Sequence, residues 1–388
     1  MSWSGIFAAI VVLVLTAWAF RFAGRRTGRP YFRDMGFASA LGWVLLVALV
    51  AYAVYAFFFV DQAVFFRWLI IGVVIAAVSA FAFRLLGRHV GTAGSRKAFR
   101  HMPLTASFGI LTIVVYALVA IFAAWLAPYG QEAIVGNANI LPGGNPATGG
   151  DPAFPLGTDQ IGRDLMSRLI YGAQNTVGIA FATTCLAFLL GGTLGFLAAT
   201  VGGWLDQVIS RAVDVLMAIP SLIFALLLMT IALAWAGSSG GQLTLYMIVI
   251  IAVIDSTRVY RLARAVAGNI VVMDYIEAAR LRGERMGYLI FREVLPNATA
   301  PLLAEFGLRF CFVFLTIASL SFLGVGIRPP LADWGTMVRD LSQFINFAGY
   351  SPLTAALPLM AAGAIALLTL AVNFLVDWML HRSSGLKD

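Results

Sequence analysis

Long apolar stretches, separated by short polar or basic connections, dominate the sequence. A helix needs about 20 mostly apolar residues to cross the hydrocarbon core of a bilayer. Nine stretches reach or approach this length, and each predicts a membrane-spanning helix. They cover residues 4–20, 36–59, 68–87, 105–127, 176–201, 213–236, 243–263, 303–326 and 354–380. The first stretch is interpreted as a span because its arginines follow it, whereas those of a secretory signal would precede it.

Composition supports a membrane protein. Hydrophobic residues make up 61% of the chain and charged residues only 11%, whereas soluble domains carry about a quarter of charged residues. The net charge of +8 does not indicate a nucleic-acid partner, because the basic residues lie between apolar stretches, where they face lipid headgroups. Both cysteines lie inside apolar stretches, so we expect neither a disulfide framework nor a metal site.

The basic residues indicate the orientation in the membrane, because Lys and Arg are enriched in cytoplasmic connections. They gather in alternate connections and therefore on one predicted side. With nine spans, this pattern places Met1 outside and Asp388 in the cytoplasm. The basic residues on the predicted cytoplasmic side are Arg21, Arg25, Arg26, Arg29, Arg33, Arg84, Arg88, Arg96, Lys97, Arg100, Arg211, Arg258, Arg261, Arg264, Arg280, Arg282, Arg285, Arg292, Arg382 and Lys387.

The sequence predicts an all-α polytopic membrane protein with two regions. Residues 1–104 form an N-terminal extension with three spans and little polar detail. Residues 105–388 hold six spans and two long connections. One connection, residues 128–175, is predicted to be external and is rich in turn residues. The other, residues 264–302, is predicted to be cytoplasmic.

Three kinds of catalytic chemistry are disfavoured. The string GSSGG at residues 237–241 matches a nucleophile pattern, but all three histidines lie on the opposite predicted side and cannot act as its base. No histidine is followed by Glu, which excludes the H-E-x-x-H zinc pattern. Neither lysine follows a glycine, so the chain has no phosphate-binding P-loop.

One predicted cytoplasmic stretch, DYIEAARLRGERMGYLIFREVLPN at residues 274–297, is unusually charged. Asp274 is predicted to cap a short helix, with Glu277 completing a capping box. Ala279 and Gly283 lie four residues apart, which predicts a small-residue face that another surface approaches closely. Pro296 is predicted to end the unit by breaking the helix. A basic loop resting on anionic lipid would explain the arginines but not this face.

This stretch resembles the signature of permeases of binding-protein-dependent ABC importers. The matching residues are Glu277, Ala278, Ala279, Gly283, Leu295 and Pro296; Glu293 departs from the pattern, which has Ile there, and Val294 lies beside it. Residues 155–173 (PLGTDQIGRDLMSRLIYGA) and 321–338 (SFLGVGIRPPLADWGTMV) resemble the C-type permeases of oligopeptide and dipeptide importers. The resemblance covers about residues 105–388.

The resemblance implies a type I permease core of six helices in the bacterial inner membrane. Its cytoplasmic loop would form a coupling helix, including Asp274, that is seated in a groove on a separate ATPase subunit. The complex would contain two such ATPase subunits, which carry ATP and Mg²⁺. This chain itself would bind no cofactor. The other implied partners are a second, homologous permease, membrane lipid and an extracytoplasmic solute-binding protein that delivers peptides, opines, oligosaccharides or nickel complexes.

Outside the membrane, Thr158 or Asp159 is predicted to cap a short surface helix in which Asp164 and Arg168 form an ion pair. This helix is expected to contact the partner permease or the binding protein, or to anchor at the lipid interface. Trp334 belongs to an outer loop that is expected to contact the binding protein or to anchor at the lipid headgroups. The candidate contact residues are Gly157, Thr158, Asp159, Gly162, Arg163, Asp164, Arg168 and Trp334.

Charged residues inside spans are expected to pair with each other, because each costs about 3 kcal/mol at the bilayer centre. Asp255 with Arg258, and Glu305 with Arg309, have the spacing for such pairs. Two other functions compete with an ABC permease. A membrane-embedded enzyme would need a catalytic constellation, and an ion-coupled carrier would have corresponding broken helices in two halves; the sequence offers neither.

Overall fold

The computed structural model describes most of the chain from residue 64 onward. The described residues are 15–19, 22, 40, 43–45, 47, 64–90, 92–146, 149–236, 240–347 and 352–383. Among them the regular structure is helical, with isolated β-bridges in place of strands. The prediction of an all-α membrane protein is therefore confirmed.

Internal packing divides the chain into two compact units, Met1–Ile75 and Ala76–Asp388. Helix α1, Val64–His89, belongs to both, and it contains a segment, Ile70–His89, that is long and apolar enough to span the membrane. A short basic helix, α2, follows at Ala93–His101. The predicted spans at 4–20 and 36–59 lie almost wholly outside the described residues, and the predicted boundary after residue 104 stays a prediction.

The helices that follow build the predicted six-span core. Helices that continue one another through a π-helical turn make one span, so five unbroken candidate spans follow α1 in the described part of the chain. The bent pair α7–α8 is either a broken span or a re-entrant loop. The bounds are Leu104–Ile121 (α3), Ala123–Leu126 (α4), Leu165–Gly172 (α5), Gly178–Val201 (α6), Gly203–Ala218 (α7), Ser221–Ala236 (α8), Gly240–Val271 (α9), Asp274–Leu281 (α10), Met286–Tyr288 (α11), Leu295–Phe322 (α12), Trp334–Leu341 (α13) and Pro352–Ser383 (α14).

Several helices are longer than the apolar stretches that predicted them. The span predicted at 176–201 begins at Leu165, because a π-helical turn at Ala173–Val177 joins α5 to α6. Helix α9 extends eight residues past the predicted end at residue 263, to Val271. At about 1.5 Å per residue its 32 residues reach about 48 Å, well beyond the hydrocarbon core of about 30 Å. Arg264 therefore lies on a helical extension beyond the predicted span, and the predicted 264–302 loop shrinks to residues 272–294.

Helices α7 and α8 are sharply bent against each other. They meet at an angle of 90° near Pro220, and α7 carries charged residues where α8 is uniformly apolar. Arg264 of α9 pairs with Asp206 of α7 through both carboxylate oxygens, and Arg261 pairs with Asp214 at 2.5 Å. These pairs attach the polar face of α7 to the extension of α9.

Helices α6 and α9 make the closest packing in the bundle. Gly191 faces the backbone carbonyl of Ser256, and a Cβ atom at Gly195 would lie 2.8 Å from both the Ala263 side chain and the Tyr260 carbonyl. Small residues let membrane helices approach closely, because packing replaces the hydrophobic effect as the driving force inside lipid. The largest buried cluster lies beside this pair and joins α8, α9, α12, α13 and α14.

The α6–α9 contact yields a stability prediction. Gly191→Ala places a methyl group against the Ser256 carbonyl, and overpacking of this kind costs about 1–3 kcal/mol. We expect a lower unfolding temperature in detergent for this variant. Gly192→Ala is the matched control, because its Cβ atom would meet nothing within 4 Å. Identical unfolding temperatures for the two variants would contradict the packing described here.

Candidate functional site

The connection between α9 and α12, residues 272–294, holds most of the predicted coupling residues. Met273 closes a turn onto the Ile270 carbonyl at 3.0 Å, and its extended backbone caps α10 without a side-chain bond. The predicted cap at Asp274 is therefore wrong, because Asp274 is already the first helical residue. Asp274 and Glu277 both lie in the first turn, where a negative charge stabilises the helix dipole.

Helix α10 has one face buried against the bundle and one exposed face. Ile276 and Ala279 are fully buried, and Ile276 belongs to a cluster with residues of α6, α9 and α12. On the other face Ala278 is exposed, Tyr275 is 39% exposed and Leu281 is 84% exposed. The predicted face of Ala279 and Gly283 is wrong, because Ala279 packs inside the chain itself. Leu281 is the most exposed apolar side chain of α10.

Gly283 ends α10 in a left-handed conformation, with φ of +82°. Its N–H donates to the Arg280 carbonyl at 2.9 Å, and the N–H of Glu284 donates to the Ala279 carbonyl at 3.2 Å. This pair of bonds is a Schellman motif, in which glycine is preferred because a Cβ atom is strained at positive φ. A Cβ atom at Gly283 would meet nothing within 4 Å. The glycine is thus required by the backbone rather than by close packing within the chain.

Leu295 and Pro296, the last residues of the signature, begin α12 rather than ending a helix. A π-helical turn at Leu289–Val294 leads directly into α12, and Pro296 lies in the first turn of α12. The prediction that Pro296 breaks the helix is therefore wrong, since proline is tolerated in a first turn. A π-turn holds one residue more than an α-turn. Leu289 and Val294 are the buried side chains of this turn, and the partly buried Leu295 packs against the cluster that contains Val294.

Polar bonds fix α10 to the bundle at both ends. Arg280 donates to the Thr200 carbonyl in the last turn of α6 at 3.2 Å, a favourable position for a cation because the C-terminus of a helix is negative. The Asn297 amide of α12 donates to the Tyr275 hydroxyl at 3.1 Å. These two bonds attach α10 to α6 and α12.

On the other side of the bundle, residues 127–164 form a turn-rich segment organised around Asp159. One Asp159 oxygen accepts the backbone N–H groups of Ile161 and Arg163 at 3.0 and 2.9 Å. The other accepts from Arg163 Nε at 2.7 Å and lies 3.7 Å from Arg168 Nε. All three charged side chains are at most 10% exposed. Asp159 is therefore the centre of a buried ion cluster.

The residues around Asp159 hold the segment together. Thr158 Oγ1 accepts from the Ile140 N–H at 2.9 Å and donates to the Asn137 carbonyl at 2.5 Å. Gly157 and Gly162 press against the carbonyls of Ile140 and Gly136, where a Cβ atom would not fit. These predicted contact residues are buried. Gln160 and Ile161 are the exposed side chains between them.

The short helix α5 is capped by Asp164. Its carboxylate accepts from the Ser167 N–H at 2.7 Å and from the Ser167 hydroxyl at 2.6 Å. The predicted caps Thr158 and Asp159 are therefore wrong, and so is the predicted Asp164–Arg168 pair, because Arg168 pairs with Asp159. Arg168 is 3% exposed, so α5 is packed into the bundle rather than free on the surface.

Trp334 is buried at the start of α13, with 2% exposure. Its Nε1 donates to the Leu169 carbonyl at 2.9 Å, and its ring meets Tyr116 edge to face with centroids 5.6 Å apart. Both predicted roles for Trp334, at the binding protein or at lipid headgroups, need an exposed ring, so the prediction of an exposed aromatic loop residue is wrong. Tryptophan is buried here because its N–H finds a partner.

Some organising residues were missed by the sequence interpretation. Asp333 is fully buried, caps α13 through the Thr336 N–H at 2.8 Å and accepts from the Thr176 hydroxyl at 2.9 Å. Burial raises the pKa of the Asp333 carboxyl, and hydrogen bonds from Thr336 and Thr176 oppose that rise. Gln131 Oε1 accepts from Asn175 at 2.8 Å and from the Ala332 N–H at 3.0 Å. The available signal was the polar Gln-Asn-Thr sequence at residues 174–176, beside an apolar stretch.

A second ion cluster lies inside the bundle and confirms both predicted pairs. Arg258 lies 3.7 Å from Asp255, and Arg309 lies 2.7 Å from Glu305. Arg309 also lies 3.5 Å from Asp255 of α9, which links α9 to α12. A cavity of about 190 Å³ adjoins the cluster and is lined by Asp255, Arg258 and Thr316 among others. Its charges stay in the bundle because they neutralise each other.

The chain is similar to known transport proteins. Residues 191–384 match the family described as the binding-protein-dependent transport system inner membrane component. The dipeptide transport system permease protein DppC of Escherichia coli is 36% identical over 285 residues, which cover 73% of this chain and 87% of that protein. DppC of Haemophilus influenzae is 33% identical over 285 residues (73% and 88%), and the peptide transport system permease protein SapC of Escherichia coli is 33% identical over 286 residues (73% and 91%).

These relatives are transport permeases whose length the chain covers almost completely. The family match includes the 272–294 connection and the helices on either side of it. The helices described above supply the several membrane spans that a multi-pass inner-membrane protein requires. The chain belongs to the family of inner membrane components of binding-protein-dependent transport systems.

Proposed function

We propose that this permease imports peptides or similar small solutes, with energy from two separate ATPase subunits. The observation that carries the proposal is the two-faced helix α10, whose inner face is built into the bundle while Leu281 is 84% exposed. An exposed apolar side chain on a rigid helix favours docking to another protein. ATP and Mg²⁺ would be held by the ATPases, and this chain would move solute without binding a cofactor.

The names of the relatives support peptides as the solute class, because they describe dipeptide and peptide transport systems. A solute-binding protein would deliver the peptide at the 127–164 side of the bundle. The compact ion cluster at Asp159 supports this role, since it would keep the segment rigid for a docking partner. A second, homologous permease would complete the pathway across the membrane.

We further propose that residues 272–294 and the C-terminal end of α14 face the cytoplasm. Arg258, Arg261 and Arg264 lie in the second half of α9, which leads into this connection, and positive residues favour the cytoplasmic side. The 127–164 segment would then face outward, and nine spans in total would place Met1 outside.

Reconstitution tests the proposed function. The chain would be co-expressed with its companion subunits, extracted gently and inserted into liposomes. We expect ATP-dependent accumulation of a labelled dipeptide only when the solute-binding protein is present. Accumulation driven by an ion gradient without ATP would support a secondary carrier and contradict the proposal.

Leu281 provides the sharpest test of the ATPase contact. Leu281→Ser should leave folding unchanged, because the side chain is 84% exposed in the chain alone. Burying a leucine contributes about 1.5–3 kcal/mol, so the ATPase should dissociate at least about tenfold more readily. Co-purification and dipeptide uptake measure the effect, with Leu281→Met as the control. Full ATPase retention in Leu281→Ser would show that the contact lies elsewhere.

Gly283 tests whether the end of α10 matters for coupling. A side chain in the left-handed region costs about 1–2 kcal/mol, so Gly283→Ala should alter the end of α10 and reduce stimulation of ATP hydrolysis by loaded binding protein. Gly287→Ala is the matched control, because Gly287 lies in the short helix α11 and its Cβ atom would meet nothing within 4 Å. Equal stimulation in both variants would argue against a coupling role.

Asp159 tests the rigidity of the outer segment. Asp159→Asn removes the charge that pairs with Arg163 and Arg168, and breaking a buried pair costs about 3–5 kcal/mol. We expect faster proteolysis within 127–164 and weaker stimulation by the binding protein. Asp151→Asn is the control, because the hydrogen bond that Asp151 accepts from the Ala153 N–H, at 2.8 Å, is exposed to solvent. A proteolysis rate unchanged from the parent would contradict the structural role.

A further inference from the structure

The end of α1 and the helix α2 form a basic hairpin within the second compact unit. Phe99 of α2 packs on the last turns of α1, where its ring meets Phe83 edge to face with centroids 5.5 Å apart. The same ring covers Gly87 so closely that a Cβ atom there would overlap it. The contact fixes α2 against α1 and so sets the position of the charges on both helices.

Helix α2 separates its apolar and basic residues onto opposite faces. Ala98, Phe99 and the following Met102 are partly or fully buried, whereas Arg96, Lys97, Arg100 and His101 are exposed. At 3.6 residues per turn the basic residues share one side of the helix. Because Phe99 faces α1, the basic side is turned away from α1 and is open to a ligand.

Two arginines of α1, Arg84 and Arg88, directly follow the two α1 residues that Phe99 contacts, Phe83 and Gly87. Arg84 and Arg88 lie one turn apart, and the Nε atom of each is buried with no hydrogen-bond partner among the described residues. Arg84 lies five residues before the end of α1 at His89, which places it about 7.5 Å inside the end of the helix. At this depth a guanidinium group meets the junction between lipid headgroups and acyl chains.

Neither the basic end of α1 nor α2 has an acidic residue close to it in the sequence. From residue 62 to residue 131 the chain contains no Asp or Glu, while it contains Arg84, Arg88, Arg96, Lys97 and Arg100. The apolar segment of α1 is mostly exposed, since only 6% of its residues are buried against other parts of the chain. A helix with so much exposed apolar surface is suited to a lipid environment.

We propose that this surface, formed by Arg84, Arg88, Arg96, Lys97 and Arg100, binds the headgroup of an anionic phospholipid. The guanidinium groups of Arg84 and Arg88 would bind the phosphate, for which their planar, multidentate geometry is suited. The exposed charges of α2 would add longer-range attraction to an anionic membrane surface. The acyl chains would lie along the exposed apolar side of α1.

Lipid titration tests the site on the intact permease complex in detergent. Phosphatidylglycerol and phosphatidylcholine with the same acyl chains would be added, and bound lipid counted by native mass spectrometry. We expect phosphatidylglycerol to bind more tightly. Removing two basic residues should weaken that binding about tenfold or more, because each contributes about 1 kcal/mol near an anionic surface. The first variant is Arg84→Gln with Arg88→Gln, and the second is Lys97→Gln with Arg100→Gln.

The second variant changes only exposed side chains, so it decides the question even if the first fails to insert. Arg328→Gln, which removes a charge from the connection between α12 and α13, should leave the preference unchanged. Equal binding of the two lipids, or an unchanged preference in the second variant, would overturn the proposal. Displacement of phosphatidylglycerol by an equal concentration of inorganic phosphate, or of a short oligonucleotide, would overturn it too, because the ligand would then be a soluble anion.

Discussion

The close contact between α6 and α9 is the constraint on which the rest of the structure depends. With glycine at residues 191 and 195, the two backbones approach to a distance at which no side chain fits between them. Close packing of this kind replaces the hydrophobic effect, which cannot draw helices together in lipid. Thr176, just before α6, bonds the buried Asp333 on one side, and Thr200, at its other end, accepts from Arg280 of α10. Helix α6 and the turn before it thus reach from the buried Asp333 on one side to α10 on the other.

Long apolar stretches predicted the helical core, because a helix must be apolar to cross a bilayer. The short signature predicted the family and the approximate position of the 272–294 connection. Helix ends were less predictable. The apolar pattern at residues 243–263 marks the membrane, whereas α9 continues to Val271 as a helix outside it. Pro296 was misinterpreted for a related reason, since proline disfavours a helix interior but is accepted in a first turn.

Side-chain partners in the outer segment could not be predicted, because they depend on residues far apart in the chain. The spacing of Asp164 and Arg168 suggested a pair, but the fold brings Asp159 to Arg168 and leaves Asp164 as a cap. Trp334 looked like an interface residue, yet Leu169 and Tyr116 enclose it. At the signature, Val294 is the buried residue beside Glu293 within a π-turn that hydrophobic periodicity does not reveal. Buried polar residues need partners, and tertiary structure chooses them.

The right-angled bend between α7 and α8 has a mechanical consequence. Helix α7 is tied to α9 by the pairs Arg264–Asp206 and Arg261–Asp214, and it leads directly to the base of α8. With 16 residues, it is a strut of about 24 Å. Because ion pairs join α7 to α9 and only a short break separates α7 from α8, a tilt of α9 would also displace the start of α8.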